Sequence, residues 1–131
     1  MLLAGALTAC GTTSYFGGSD DGASTGAASF MRRSSDPLAR PTQVAWTSAR
    51  ATRCGFVFDP AQLRSRYLAT EQSSGQNPRQ MQKIKEAYDY TLQSVSEEAR
   101  KDANYCTRER IDEVKADLNR YLAGDFRTSP Q

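Results

Sequence analysis

Residues 77–100 read NPRQMQKIKEAYDYTLQSVSEEAR. Met81, Ile84, Tyr88, Leu92, Val95 and Ala99 recur at steps of three and four, which draws one apolar seam along a helix. Asn77 and Pro78 suit its start, since asparagine accepts from free backbone amides and proline tolerates the first turn. Lys83, Lys85, Glu86, Glu97, Lys101 and Asp102 fall on the other faces and read as a wetted surface. A seam of this length must be covered by other helices.

Those helices are legible on both sides. Downstream, Thr107 is a cap, Ile111, Val114, Leu118, Tyr121 and Leu122 share a face, and Gly124 stops the run. Upstream, Asp59-Pro60-Ala61-Gln62 opens a helix in which Asp59 caps and Gln62 is placed to reach back. Phe58 and Leu63 stand as a hydrophobic staple, Leu63, Tyr67 and Leu68 form the buried stripe, and Gly75 ends it. Further upstream a helix is expected from about Thr42 to Arg53, after Pro41, with Ala45, Trp46 and Ala49 on one side and Trp46 as a core anchor. Only Cys54-Gly55-Phe56-Val57-Phe58 resembles a strand, and it is short. The expected fold is all-α: a small bundle of three to four helices over residues 42–125, with residues 126–131 as a disordered tail.

Residues 11–41 are rich in Gly, Ser, Thr and Ala, with Phe16 and Phe30 isolated. Such a composition cannot offset its own ordering entropy, so residues 10–41 read as a flexible tether. Gly17-Gly18 lacks the flanking strand and helix of a phosphate-binding loop. Met1 to Ala9 is apolar and ends in small residues before Cys10. Leu7-Thr8-Ala9-Cys10 resembles the bacterial lipobox, which implies a signal peptide at residues 1–9 and diacylation of the Cys10 thiol. Residues 1–9 hold no Lys or Arg, so the basic start of such a signal would lie upstream of Met1. The segment is too short to span a bilayer, and the link to the membrane would be acyl chains on Cys10. By the same resemblance, Gly11 after the cysteine favours the outer membrane.

The 131 residues give room for one domain, with 38% hydrophobic and 24% charged residues. A net charge of +2 gives no reason to expect nucleic acid as a partner. The chain has no histidine, hence neither the usual general base nor the commonest metal ligand. Of its three cysteines, Cys54 and Cys106 fall in loops between helix pairs, where a bridge would tie the bundle. Their wide spacing is unlike the Cys-x-x-Cys of redox catalysts, and an oxidising compartment favours a structural disulfide.

Nothing converges into a catalytic constellation. Glu97-Glu98 and Asp112-Glu113 are neighbours in sequence and diverge on a helix. Ser94 and Ser96 have no recognisable base, and no alternating acidic loop suggests calcium. No cofactor, no metal and no enzymatic activity are therefore expected. Tyr90 faces away from the seam that holds Tyr88, and an exposed tyrosine is a common contact residue. Trp46 and Arg50 are the other candidate partner contacts.

Gln43-Val44-Ala45-Trp46, then Arg50, then Cys54, is similar to a signature of the LprI-like lysozyme-inhibitor domain. Leu118-Asn119 with Tyr121 resembles that family's Leu-Asn and Tyr element, in the reverse order along the chain. The lipobox, tether and bundle point to a non-catalytic, lipid-anchored periplasmic module that binds an envelope protein or peptidoglycan. The LprI-like resemblance implies the alternative, an inhibitor of lysozyme or another hydrolase.

Overall fold

The structure, a computed structural model, describes residues 36–128. The expected signal peptide, Cys10, the tether up to residue 35 and residues 129–131 lie outside them. Four helices form: α1 Ala39–Arg53, α2 Pro60–Ser73, α3 Pro78–Lys101 and α4 Arg108–Leu122, with no strand among the described residues. The chain is all-α and disulfide-closed.

The caps of α2 to α4 follow from the residues that start them. Asp59 Oδ1 accepts from the amides of Ala61 and Gln62 at 3.0 Å each. Asn77 and Gln80 form a reciprocal capping box, Asn77 Oδ1 accepting at 2.8 Å and Gln80 Oε1 at 3.0 Å. Thr107 accepts from the Arg110 amide. Three ends use glycine in the left-handed region, Gly55 at φ 78°, Gly75 at φ 86° and Gly124 at φ 86°. After α1, Phe56 N–H bonds Ala51 O at 3.0 Å, and after α4, Asp125 N–H bonds Arg120 O at 3.0 Å. These six-to-one closures need a residue that pays no Cβ penalty at the turn.

Helix directions alternate. Arg40 at the start of α1 meets Glu71 near the end of α2, and Arg53 at the end of α1 meets carbonyls at the end of α3. The most extensive packing is between α1 and α3, followed by α1 with α4. Thus α1 lies at the centre. Its buried residues are Ala39, Pro41, Gln43, Val44, Ala45, Thr47, Ser48, Ala49, Arg50 and Ala51, which go round the helix instead of following one stripe. Ala, Ser and Thr let the neighbouring backbones come close.

The domain extends past the expected 42–125 at both ends. Helix α1 begins at Ala39, so Pro41 lies inside its first turn and is buried. Proline costs little there, because the first amides of a helix have no intrahelical acceptor. At the other end Phe126 is buried, not part of a disordered tail. Its ring lies 5.3 Å edge-on from Tyr67 and 5.9 Å from Tyr121, and Tyr67 stacks on Tyr88 at 5.7 Å. Four rings thereby join α2, α3, α4 and the segment after α4.

The stripes read from sequence hold in their centres. Leu63, Tyr67, Leu68, Met81, Ile84, Tyr88, Ala99, Val114, Leu118 and Tyr121 are buried. Leu92 is half-buried against the core, while Leu122 is exposed at the edge of its stripe. Trp46 is half-buried and outside the central cluster, so it is not the anchor expected of it. The strand-like 54–58 stretch is a loop with Val57 fully exposed and Phe56 and Phe58 packed on the core.

Cys54 and Cys106 are bonded, with Cα atoms 5.6 Å apart and 52 residues of separation. Closing a loop of that size removes about 4 kcal/mol of unfolded-state entropy in the chain-entropy model. Cys54→Ser or Cys106→Ser is therefore expected to lower unfolding free energy by roughly 3–4 kcal/mol in urea denaturation. An unchanged midpoint would show that the bridge contributes nothing.

Candidate functional site

Residues four apart on a helix share a face, which places Trp46 and Arg50 together on α1. The Arg50 guanidinium lies over the Trp46 ring, 4.0 Å from its centroid. Arg50 is only 3% exposed, an unusual position for a cation. Its Nη2 donates to Glu113 Oε2 of α4 at 3.3 Å, and its buried Nε has no acceptor. Glu113 itself is 64% exposed. A deeply placed charge is thus balanced by a carboxylate at the surface and by a half-buried aromatic face.

One turn beyond, two more arginines secure the disulfide end. Arg53 donates to Ala99 O at 3.0 Å and Asp102 O at 3.1 Å, covering carbonyls that α3 leaves open at its end. Arg110 donates to Tyr105 O at 2.7 Å and lies over the Tyr105 ring. The surroundings of Arg50 are therefore held from three elements. Tyr90, the third candidate contact, is 75% exposed on α3. Among the described residues it shares no hydrogen bond, ion pair or ring contact with Trp46 or Arg50.

A second polar cluster lies at the opposite end. Glu71, 2% exposed, faces Arg40 Nε at 3.0 Å and Arg40 Nη2 at 3.1 Å, and accepts from the Tyr67 hydroxyl at 2.9 Å. Every oxygen of this buried carboxylate has a donor, as burial requires. It fixes the first turn of α1 to α2. Beside it, Gln72, Gln76, Pro78, Met81, Gln82 and Lys85 line an open groove of about 250 Å³. The Gln82 amide is already engaged with Glu86, and no convergent acid–base pair faces the groove.

The remaining carboxylate pairs do not converge. Glu97, Glu98, Asp112 and Glu113 are all exposed on helix surfaces. Among the described residues there is no group of three His, Cys, Asp or Glu side chains fit to hold a metal ion. No helix of the described residues is long and apolar enough to cross a membrane. Neither the family models, nor the curated proteins, nor the solved structures contain a match to this chain.

Burial governs the tyrosines. It pushes Tyr88 up to about 12, partly offset by the Ser48 hydroxyl and Arg64, although neither Ser48 Oγ nor the Tyr88 hydroxyl reaches hydrogen-bond geometry. It pushes Tyr121 up to about 12 as well, with Asp117 adding and Arg120 opposing. Tyr67 goes higher still, first through burial and then through Glu71. At the surface, the bonded Arg127 holds the Asp125 carboxyl well below the usual carboxylate range.

Sequence reasoning names Trp46 and Arg50 as candidate contacts but misses their stacking, Glu71, Glu113 as a partner, and Phe126. Glu71 stands four residues after Tyr67, a spacing that could have suggested their bond. Its third member, Arg40, comes from a segment read as tether.

The raised tyrosines set an alkaline limit. Unfolded tyrosines ionise near about pH 10, whereas the folded domain keeps Tyr88 and Tyr121 protonated to about 12. Their stabilising contribution is complete below the unfolded value and disappears as pH rises through this window. Tyrosinate absorbance from these rings is expected to appear together with loss of helical circular dichroism. A smooth titration with intact helicity would contradict the burial.

Proposed function

We propose that the chain is a lipid-anchored, non-enzymatic module of the bacterial cell envelope that displays a helical domain toward an envelope partner. The observation that carries this reading is how the three cysteines divide. Cys54 and Cys106 are joined to each other within the folded domain. Cys10 is left over, in a setting that resembles a lipobox. A bonded structural pair suits the periplasm, where disulfides persist, and a leftover cysteine there is free for acylation. Two or more acyl chains would give stable anchoring, with the outer membrane favoured by Gly11.

The binding role is supported by the surface around Trp46 and Arg50. Tryptophan and arginine dominate the energetics of protein interfaces when they are held rigidly. Here the ring is held against a guanidinium that is itself buried and tied to α4. A partly exposed tryptophan held in place by a buried arginine is better suited to recognition than to chemistry.

A second reading, inhibition of lysozyme or another hydrolase, draws on one feature. Gln43, Trp46, Arg50 and Cys54, which carry the resemblance to the LprI-like domain, occupy consecutive turns ending at the disulfide. Lysozyme turnover measured with purified domain at micromolar concentration decides it, and undiminished turnover removes this reading.

For the main reading, Cys10→Ser is expected to leave the domain folded, with unchanged circular dichroism, and to release it from the membrane fraction. Intact-mass measurement of the membrane-bound chain is expected to show acyl mass and two missing thiol protons. Equal membrane retention of Cys10→Ser and the unsubstituted chain would refute the anchor. Cross-linked envelopes are expected to yield a specific partner of the bound domain.

A further inference from the structure

Arginine recognises carboxylates best side-on, when Nε and Nη2 each hold one oxygen. Three arginines of this domain do so. Arg64 grips Asp89 at 2.8 Å through both atoms, and Arg127 grips Asp125 at 2.8 Å and 2.9 Å. Arg40 grips Glu71 at 3.0 Å and 3.1 Å. Arg50 is different. Only its Nη2 is engaged, at 3.3 Å with Glu113, and its buried Nε has no acceptor. The fork is half-filled at the most buried arginine of the four.

Glu113 reaches one prong only, from the first half of α4 at 3.3 Å. Once Glu113 had moved away, a carboxylate placed along the side-on axis would meet both Nε and Nη2. Glu113 is largely in solvent, so its side chain can swing aside without disturbing the core. The half-buried Trp46 ring stacks on the guanidinium and reaches the surface beside it.

We propose that Arg50 is a recognition site for a carboxylate on an acidic segment of a partner protein, with Glu113 as the internal carboxylate that occupies it in the free state. This rests on reading the domain as a binding module and names the chemistry of its partner. Exchange of one carboxylate for another never leaves the buried guanidinium unpaired, which would be the costly state. The incoming group gains the second prong. A protein segment is favoured over peptidoglycan because a rigid tryptophan beside an arginine is the composition of protein-interface hot spots. In the free protein Glu113 also shields the cation from unrelated anions.

The test uses the full, disulfide-bonded chain in solution. Trp46 is its only tryptophan, so intrinsic emission reports directly on the site. A soluble oligoglutamate peptide is expected to change that emission saturably, while an oligoglutamine peptide does not. Glu113→Gln, which weakens the internal competitor, is expected to tighten oligoglutamate binding about fivefold. Arg50→Lys keeps the charge and lacks the fork, and is expected to weaken binding about tenfold or more. Circular dichroism checks that each variant is folded. Glu113→Leu with Arg50→Lys, a pair that removes the internal competitor and the fork together, should stay weak if the fork is the determinant.

No response to oligoglutamate, equal affinity of Glu113→Gln and the unsubstituted chain, or undiminished binding by Arg50→Lys would overturn the proposal. Retention on isolated peptidoglycan sacculi that depends on Arg50, without oligoglutamate binding, would overturn the assignment to a protein segment. Neither assay depends on where the chain resides. Failure here therefore removes the Arg50 site alone, and the anchored-module reading stands or falls by Cys10→Ser and the cross-linked envelopes.

Discussion

The enclosure of α1 is the constraint on which the rest of the domain depends. In a small bundle each helix usually hides one stripe and wets the rest. Here one helix is surrounded, and α2, α3 and α4 each contribute only a narrow face of three or four buried residues. That division explains the composition of α1. A central helix that carried large apolar side chains all round would hold its neighbours too far apart to pack on one another's edges. Alanine, serine and threonine bring α3 close. The volume of the core then comes from tyrosines and leucines on the outer helices.

Enclosure has an electrostatic consequence. Gln43, Thr47, Ser48 and Arg50 are buried because they belong to α1, not because each has a dedicated network. Arg50 meets a carboxylate with one prong, and Ser48 and Tyr88 bring hydroxyls close without a bond. Leaving polar groups partly satisfied costs stability, and the cost is tolerable in a domain that also has a covalent closure. Cys54 follows the last turn of α1 directly, so the disulfide constrains the same helix that carries the polar burden. At the other end, Arg40 and Glu71 tie its first turn to α2 with every carboxylate oxygen engaged.

Periodicity made the outer helices legible and left the central one partly hidden. The α3 seam from Met81 to Ala99, the cap at Asn77 and the stripe of α4 are properties of a helix with one buried face, and sequence displays such a face directly. An enclosed helix has no face to display. Ala45, Trp46 and Ala49 imply a one-sided helix, and burial of Gln43, Ser48 and Arg50 has no local signal. Pro41 suggested a boundary because proline ends helices more often than it sits in their first turn. Phe126 follows a glycine stop and is a single aromatic residue with no repeat around it, so only tertiary packing reveals its role. The pairing of Cys54 with Cys106 could be inferred from loop positions. The candidate site was half visible: Trp46 and Arg50 are four apart, whereas Glu113 comes from another helix and looks like any solvated carboxylate.

Amide hydrogen exchange with residue resolution tests the central position of α1 most directly. The amides of residues 45–51 are expected to be the slowest in the domain and to exchange only through global unfolding. Those in the second half of α4, which packs mainly on α1, should open sooner. Exchange in α1 as fast as on the outer helices, or faster, would contradict a bundle built around it.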